Sequence, residues 1–304
     1  MAETRADIYT RITNEIVAAI EAGAGTWTMP WHHDGSSIAR PVNIASGKVY
    51  RGVNTVALWI AAQFKEYGSG IWGTYRQWAK RGAQVRKGEK ATTIVFWKQI
   101  RGKEEVIGNE ADASDEDGGE RPRFFARGYA VFNRAQVDGF EDADAPPLPE
   151  TERIAHAEAF FGRLDIPVTY GVSGAWYRIS EDRIYMPEFE QFTDAVGFYS
   201  TLAHECAHAT GAAHRLDRDF SKRFTNQAVA AEELVAELTA AMIMADLGLG
   251  ARPRADHAAY IASWLQVLKS DNRAIFTAAS KAQGAADWML RQPQGAAPRE
   301  MEAA

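Results

Sequence analysis

Residues 204–208 read His-Glu-Cys-Ala-His. On an α-helix, side chains four apart sit one turn above each other, so His204 and His208 can offer imidazole nitrogens to one metal ion. Glu205 is displaced around the helix from both and can address a water on that ion. A divalent metal held by three protein ligands keeps one open position, lowers the pKa of the water there and lets a carboxylate take the proton. That is the chemistry of zinc-dependent peptide hydrolysis. Zn2+ is the expected ion for a His/His/carboxylate set, and Mn2+ suits the same nitrogen and oxygen donors. Cys206 stands at a non-ligand position and reads as a small buried hydrophobe.

Two residues compete as third ligand. The stretch His204–His214 reads HECAHATGAAH and satisfies HExxHxxGxxH with Gly211 at the turn, which makes His214 one candidate. Glu233 is the other, on a following helix whose Glu237, four residues on, could steady a ligand histidine from behind. Burying both acids beside Leu234, Leu238 and Met242 would be costly without a cation or a histidine partner, and a metal site supplies both. Helix also follows His214 almost at once, leaving no room for the long loop that precedes a Met-turn. Both arguments favour Glu233, keep His214 as the alternative, and leave Glu232 as a solvated neighbour.

These side chains need rigid carriers. The apolar flank Val196, Phe198, Tyr199 and Leu202 predicts a helix over Thr193–Gly211, with further helices over Ala228–Leu247, Ala255–Lys269 and Asn272–Arg291. Before them come a helix over Arg153–Leu164 and short strands at Val168–Tyr170 and within Ala175–Met186, turning at Glu181-Asp182, an α+β pattern. In the first part of the chain, Ile8, Ile12, Ile16 and Ile20 recur at steps of four until Gly23 and Gly25 stop the helix. Helices are expected over Val53–Tyr67 and Trp72–Arg81, and strands over Thr92–Trp97 and Arg123–Asn133. Between those strands, residues 104–120 hold eight acids and three glycines and read as a solvated loop. The acidic stretch Glu141–Glu152, with Pro146, Pro147 and Pro149, reads as a linker. The expected organisation is two domains, 1–145 and 146–304.

The net charge of −6 over 304 residues hides an asymmetry. Residues 1–100 carry 13 Lys/Arg against 7 Asp/Glu and six of the nine tryptophans, while the remainder is acidic. Positive charge interleaved with aromatic rings suits single-stranded nucleic acid. The charges come from Arg40, Lys48, Arg51, Arg76, Lys80, Arg81, Arg86, Lys87, Lys90 and Lys98, and stacking faces from Trp31, Tyr50, Trp72, Tyr75 and Trp78. Trp59, Trp78 and Trp97 also fall at apolar-face positions that suit a core. One cysteine argues against a disulfide framework and for a reducing compartment. No apolar run approaches the ~18 residues of a membrane span, and the N-terminal segment reads as an amphipathic helix, so the expectation is a cytoplasmic protein without a membrane partner.

Taken together, several stretches resemble the ArdC-like antirestriction proteins of conjugative plasmids and phages. They are Pro30–Asn54, Ile71–Trp97 (IWGTYRQWAKRGAQVRKGEKATTIVFW), Val131–Gly139, Asp182–Phe192, Phe198–Phe220, Ala230–Leu238 and Tyr260–Trp288, nearly the whole chain in order. The resemblance implies an N-terminal single-stranded-DNA-binding domain and a C-terminal zincin-type metallopeptidase domain, similar to the SprT/Spartan class. It also implies a role in shielding incoming DNA from restriction, and the leading reading adds a metal-dependent site that cleaves, or simply engages, a protein found on that DNA. It makes His204 and His208 ligands, Glu205 the catalytic acid and Glu233 the third ligand. It places Asn43, Tyr50, Arg51, Gly52, Asn54, Trp72, Lys87, Gly88 and Lys90 in the N-terminal motif. With Trp31 and Arg86, these side chains are the candidate DNA contacts. Two rival readings remain: a DNA-binding module with a structural metal, and a regulatory metallopeptidase without a DNA role.

Overall fold

A computed structural model describes residues 7–23, 40–101, 104–108, 123–140, 149–220, 227–250 and 257–293. Helix α1 (Ile8–Gly23) opens with the Asp7 carboxylate accepting from the amides of Tyr9 and Thr10, and buries Ile12, Ile16 and Ile20 as their spacing requires. Helix α2 (Val53–Phe64) buries Val53, Val56, Trp59 and Ile60.

The strands of this half are β1 (Val42–Asn43), β2 (Ile71–Gly73), β3 (Gln84–Val85), β4 (Thr92–Arg101), β5 (Glu104–Gly108), β6 (Arg123–Asn133) and β7 (Val137–Asp138). Five of them form one sheet in the order β1-β2-β6-β4-β5. Within it β1 runs parallel to β2 and the other pairs are antiparallel, while β3 and β7 form a separate antiparallel pair.

Two expectations change here. Trp72 lies on β2, and the short helix α3 (Tyr75–Lys80) begins only after it, because Thr74 and Gln77 form a reciprocal capping box that sets the helix start. Residues 104–108, read as solvated loop from their acids, instead form β5: the open edge of β4 offers a backbone ladder, pairing Arg101 with Glu104 through Trp97 with Gly108. Residues 109–120 of that expected loop lie outside the described residues. So do residues 141–148 of the expected linker, whose end is already helical in α4 (Glu150–Gly162).

Beyond α4, strands β8 (Val168–Thr169), β9 (Trp176–Arg178) and β10 (Arg183–Tyr185) make a small sheet in the order β8-β10-β9, with Asp182 in the left-handed region at the turn. Helices α5 (Ala195–Thr210), α6 (Ala228–Asp246), α7 (His257–Ser270) and α8 (Ala274–Leu290) follow, close to their expected spans. The fold is α+β. Helix α6 is apolar around most of its circumference, and packs between α5 and α8.

The two halves do not keep separate cores. Ile12, Ile16, Ile20, Val53, Trp59 and Trp97 belong to one hydrophobic cluster with Met242, Trp264 and Phe276, and the Phe276 ring meets Tyr9 and Trp97 edge-on. Thr13 Oγ1 donates to the Asn272 carbonyl at 2.7 Å, Arg40 pairs with Asp246 at 3.0 Å, and Arg51 pairs with Asp287. Cutting the chain near residue 145 would expose these faces to water at roughly 25 cal/mol per Å² of apolar surface. The full chain is therefore expected to melt in a single transition by calorimetry, with a calorimetric enthalpy equal to the van't Hoff value. Two separated transitions would contradict a shared core.

Candidate metal centre

Helix α5 starts at Asp194, whose carboxylate accepts from the Gly197 amide at 2.8 Å, and packs against α6 and, less extensively, α8, carrying His204, Glu205 and His208. His204 and Glu205 are each only 2% exposed. The two imidazoles face each other across the turn, Nε2 to Nε2 at 3.1 Å. From α6, Glu233 reaches both, with Oε2 at 3.4 Å from His204 Nε2 and Oε1 at 3.4 Å from His208 Nε2. A tetrahedral ion with bonds of about 2.0–2.1 Å separates its ligand atoms by about 3.3 Å, so this spacing fits a metal. The donor atoms of His204, His208 and Glu233 all lie within 4.8 Å of one another, and no other such group of three occurs among the described residues.

Both far-side nitrogens face carboxylates, and that of His208 is within hydrogen-bond distance while that of His204 makes no hydrogen bond. His204 Nδ1 lies 3.5 Å from Glu237 Oε2, and His208 Nδ1 lies 3.4 Å from Glu232 Oε1. Such partners orient ligand imidazoles and raise their basicity. Burial works against charge on Glu233, yet hydrogen bonds and charge from His204 and His208 hold its carboxyl well below the usual carboxylate range. His208 shows the converse: burial pulls its ring down, but Glu232 and Glu233 push it up to about 9. The acids around the two rings favour positive charge on His208.

Glu232 departs from its reading as a solvated neighbour. Arg218 grips it through two nitrogens, Nε to Oε2 at 2.7 Å and Nη2 to Oε1, while its Oε1 faces His208. Neither Glu232 nor Arg218 belongs to a recognisable spacing, because the two meet across different elements. His214 takes no part in the cluster. Its side chain is 60% exposed and its Nε2 lies 3.2 Å from Asp182 Oδ2, in a surface network where Arg215 and Tyr177 also bind Asp182. Cys206 is buried in the core as expected.

The N-terminal candidates divide. Trp72 is fully buried, with an edge-on contact to Tyr67, and cannot stack on a base from that position. Asn54 is buried and trades two hydrogen bonds with the backbone of Val95, extending the edge of the sheet. Tyr50, 5% exposed, accepts from the Asn43 amide at 2.8 Å, and Asn43 also ties down the amides of Ala45 and Ser46. Arg51 is committed to Asp287. All five side chains are engaged in contacts within the protein. Arg86 is paired with Glu89 and Asp138, whereas Lys87 and Lys90 are exposed in the turn between β3 and β4, where Gly88 takes φ +92°. Trp31 lies outside the described residues. Beside that turn, Tyr75, Gln84, Val85, Arg86, Lys87, Glu89, Phe132 and Asp138 line an open groove of about 720 Å³, in which Arg86 pairs with both acids. Tyr75, Arg76 and Lys80 of α3, and Arg81 at its end, are exposed.

Known proteins place this arrangement in a class. The family model for a zincin-like metallopeptidase matches residues 155–281, and that for the N-terminal domain of the anti-restriction factor ArdC matches residues 6–132. A zincin-like domain joined to an ArdC-type N-terminal domain is what the fold and the His/His/Glu cluster define. The chain belongs to the ArdC family of antirestriction proteins. It is 37% identical to the crystallised antirestriction ArdC protein from plasmid R388, covering 94% of this chain and 98% of that one, with TM-scores of 0.76 to its metal-free form and 0.72 to its Mn(II)-bound form. A full-length relative, the uncharacterised protein y4eC of Sinorhizobium fredii, is 55% identical over 99% of this chain and 97% of its own length. The chain is also 34% identical to a DNA primase TraC of Escherichia coli, but spans only 28% of that longer protein. Among the described residues, no helix is long and apolar enough to cross a membrane.

Proposed function

We propose that this protein binds incoming single-stranded DNA of a mobile element and carries a metal-dependent peptidase site aimed at a protein on that DNA. The observation that carries the reading is the convergence of His204, His208 and Glu233 beside a buried Glu205, in a chain with an ArdC-type N-terminal half. In this reading the two histidines and Glu233 hold one divalent ion. Zn2+ is the first choice for that donor set, and Mn2+ is the alternative supported by the R388 relative. When bound, such an ion supplies activation of a water and polarisation of a carbonyl. Glu205 is the residue assigned to take and return the proton, Glu232 holds the His208 ring through its Nδ1, and Glu237 faces the Nδ1 of His204.

The DNA interface moves with the burial pattern. Tyr75 offers an exposed ring in a groove that Lys87 also lines, and Arg76, Lys80, Arg81 and Lys90 are exposed close by in the chain, so in this reading the groove between α3 and the β3–β4 turn takes the stacking role in place of Tyr50 and Trp72. Base stacking is worth ~1–3 kcal/mol and each neutralised phosphate adds about 0.7 to the salt slope for single strands. Fluorescence anisotropy of the full chain with a labelled oligonucleotide tests this directly. Tyr75→Ala is expected to weaken single-strand binding by about 5- to 150-fold, and Lys87→Ala with Lys90→Ala to flatten the salt dependence by about one to one and a half units. Equal affinity for duplex, or unchanged affinity in both variants, would sink the assignment.

A further inference from the structure

His208 is held on the side away from the ion-facing nitrogen by a charged pair, a buried arginine on a half-buried glutamate, that the metal cluster does not itself contain. The Arg218 side chain is 1% exposed and uses every guanidinium nitrogen. Nε donates to Glu232 Oε2 at 2.7 Å, Nη1 to Thr210 Oγ1 at 3.0 Å, and Nη2 to the Ala207 carbonyl at 2.8 Å and to Glu232 Oε1. Glu232 Oε1 faces His208 Nδ1. The guanidinium thus spans the last turn of α5 and the first turns of α6, the two helices that carry all three donors.

Room for it comes from Gly211. The residue has φ −75°, an angle any amino acid adopts, so backbone freedom does not explain the glycine. Space does: a Cβ there would stand 2.9 Å from Arg218 Nη2, 3.1 Å from Arg218 Cζ and 3.1 Å from the His208 carbonyl. The glycine that completes a HExxHxxGxxH spacing serves the approach of an arginine here, and not a turn toward His214.

We propose that Arg218 and Glu232 are positioning residues for His208, fixing its ring with the proton on Nδ1 and Nε2 turned toward the ion, and that Gly211 admits the guanidinium that makes this possible. This rests on the metal reading of the cluster. A charged acceptor locked by a bidentate arginine cannot rotate away from the ring, whereas Glu232 alone could turn to solvent.

The test is Zn2+ affinity of the purified full chain, measured by competition with a chromophoric chelator, for wild type, Glu232→Ala, Gly211→Ala and the double variant. Loss of such an outer partner weakens metal binding by about 10- to 100-fold, so that loss is expected for Glu232→Ala, and a smaller loss in the same direction for Gly211→Ala. The double variant is expected to bind no more than about threefold weaker than Glu232→Ala alone, since both changes break one link. In histidine-labelled protein, the Nδ1–H proton of His208 is expected to be protected from exchange in wild type, lost in Glu232→Ala and regained in Glu232→Gln, whose amide oxygen can still accept. A pure helix-end clamp would instead lower the melting temperature and leave Zn2+ affinity and the Nδ1–H signal unchanged, which overturns the proposal. If Glu232→Ala fails to fold, Gly211→Ala and Glu232→Gln carry the comparison. Absence of Zn2+ binding in wild type would bring down the metal reading itself, a result distinct from variants that bind as wild type does.

Discussion

Glu205→Gln is expected to abolish protection of incoming single-stranded DNA against restriction while leaving the fold and the bound ion in place. The change keeps the size of a side chain that is 2% exposed and removes only its ability to take a proton. General-base catalysis is worth about 10²- to 10⁴-fold, so a cleavage rate on the true target should fall by that factor. Transfer efficiency into a restricting host, measured beside metal content and single-strand affinity of the same variant, separates the rival readings. Wild-type protection by a metal-loaded Glu205→Gln protein would establish that the ion is structural and that masking the DNA suffices. Loss of protection with DNA binding retained would leave proteolysis as the working step.

The second large effect concerns Trp72, a residue whose resemblance-based reading was a DNA contact. Trp72→Ala should destabilise the fold by about 3–5 kcal/mol, the usual cost of emptying a fully buried large side chain. The strand β2 would lose its anchor against Tyr50, Leu58, Ile94 and Val131, which share its cluster. Urea unfolding checks this, and the fraction still folded should bind single strands with an affinity near that of wild type. A stable variant with selectively weakened DNA binding would return Trp72 to the interface.

The His204/His208/Glu233 cluster was legible for a simple reason. His204 and His208 are linked by helical periodicity, and Glu233 and Glu237 by the same period on the next helix, so local spacing carried the chemistry before any fold was known. The helix that carries the histidines followed from its apolar flank Val196, Phe198, Tyr199 and Leu202, as the N-terminal helix did from Ile8 to Ile20. What spacing could not reach was contact between elements. Glu232 looked solvated because it neighbours Glu233 on α6, yet His208 and Arg218 approach it from outside that helix. Composition likewise counted aromatic rings without their direction: Trp72 and Tyr50 point inward while Tyr75 is 49% exposed. Strand β5 was hidden by its acids, since pairing with β4 depends on a backbone edge that no side-chain count records. The shared core was hidden for the same reason, because Ile16 and Trp264 are far apart in the chain and meet only when folded.

The most direct test of the account is metal stoichiometry after gel filtration, by mass spectrometry of the elements, for wild type, Glu233→Ala and His214→Ala. The geometry predicts one divalent ion per chain in wild type and in His214→Ala, whose ring sits on Asp182 at the surface, and none retained by Glu233→Ala. An ion kept by Glu233→Ala and lost by His214→Ala would contradict the site as described and transfer the third ligand to His214.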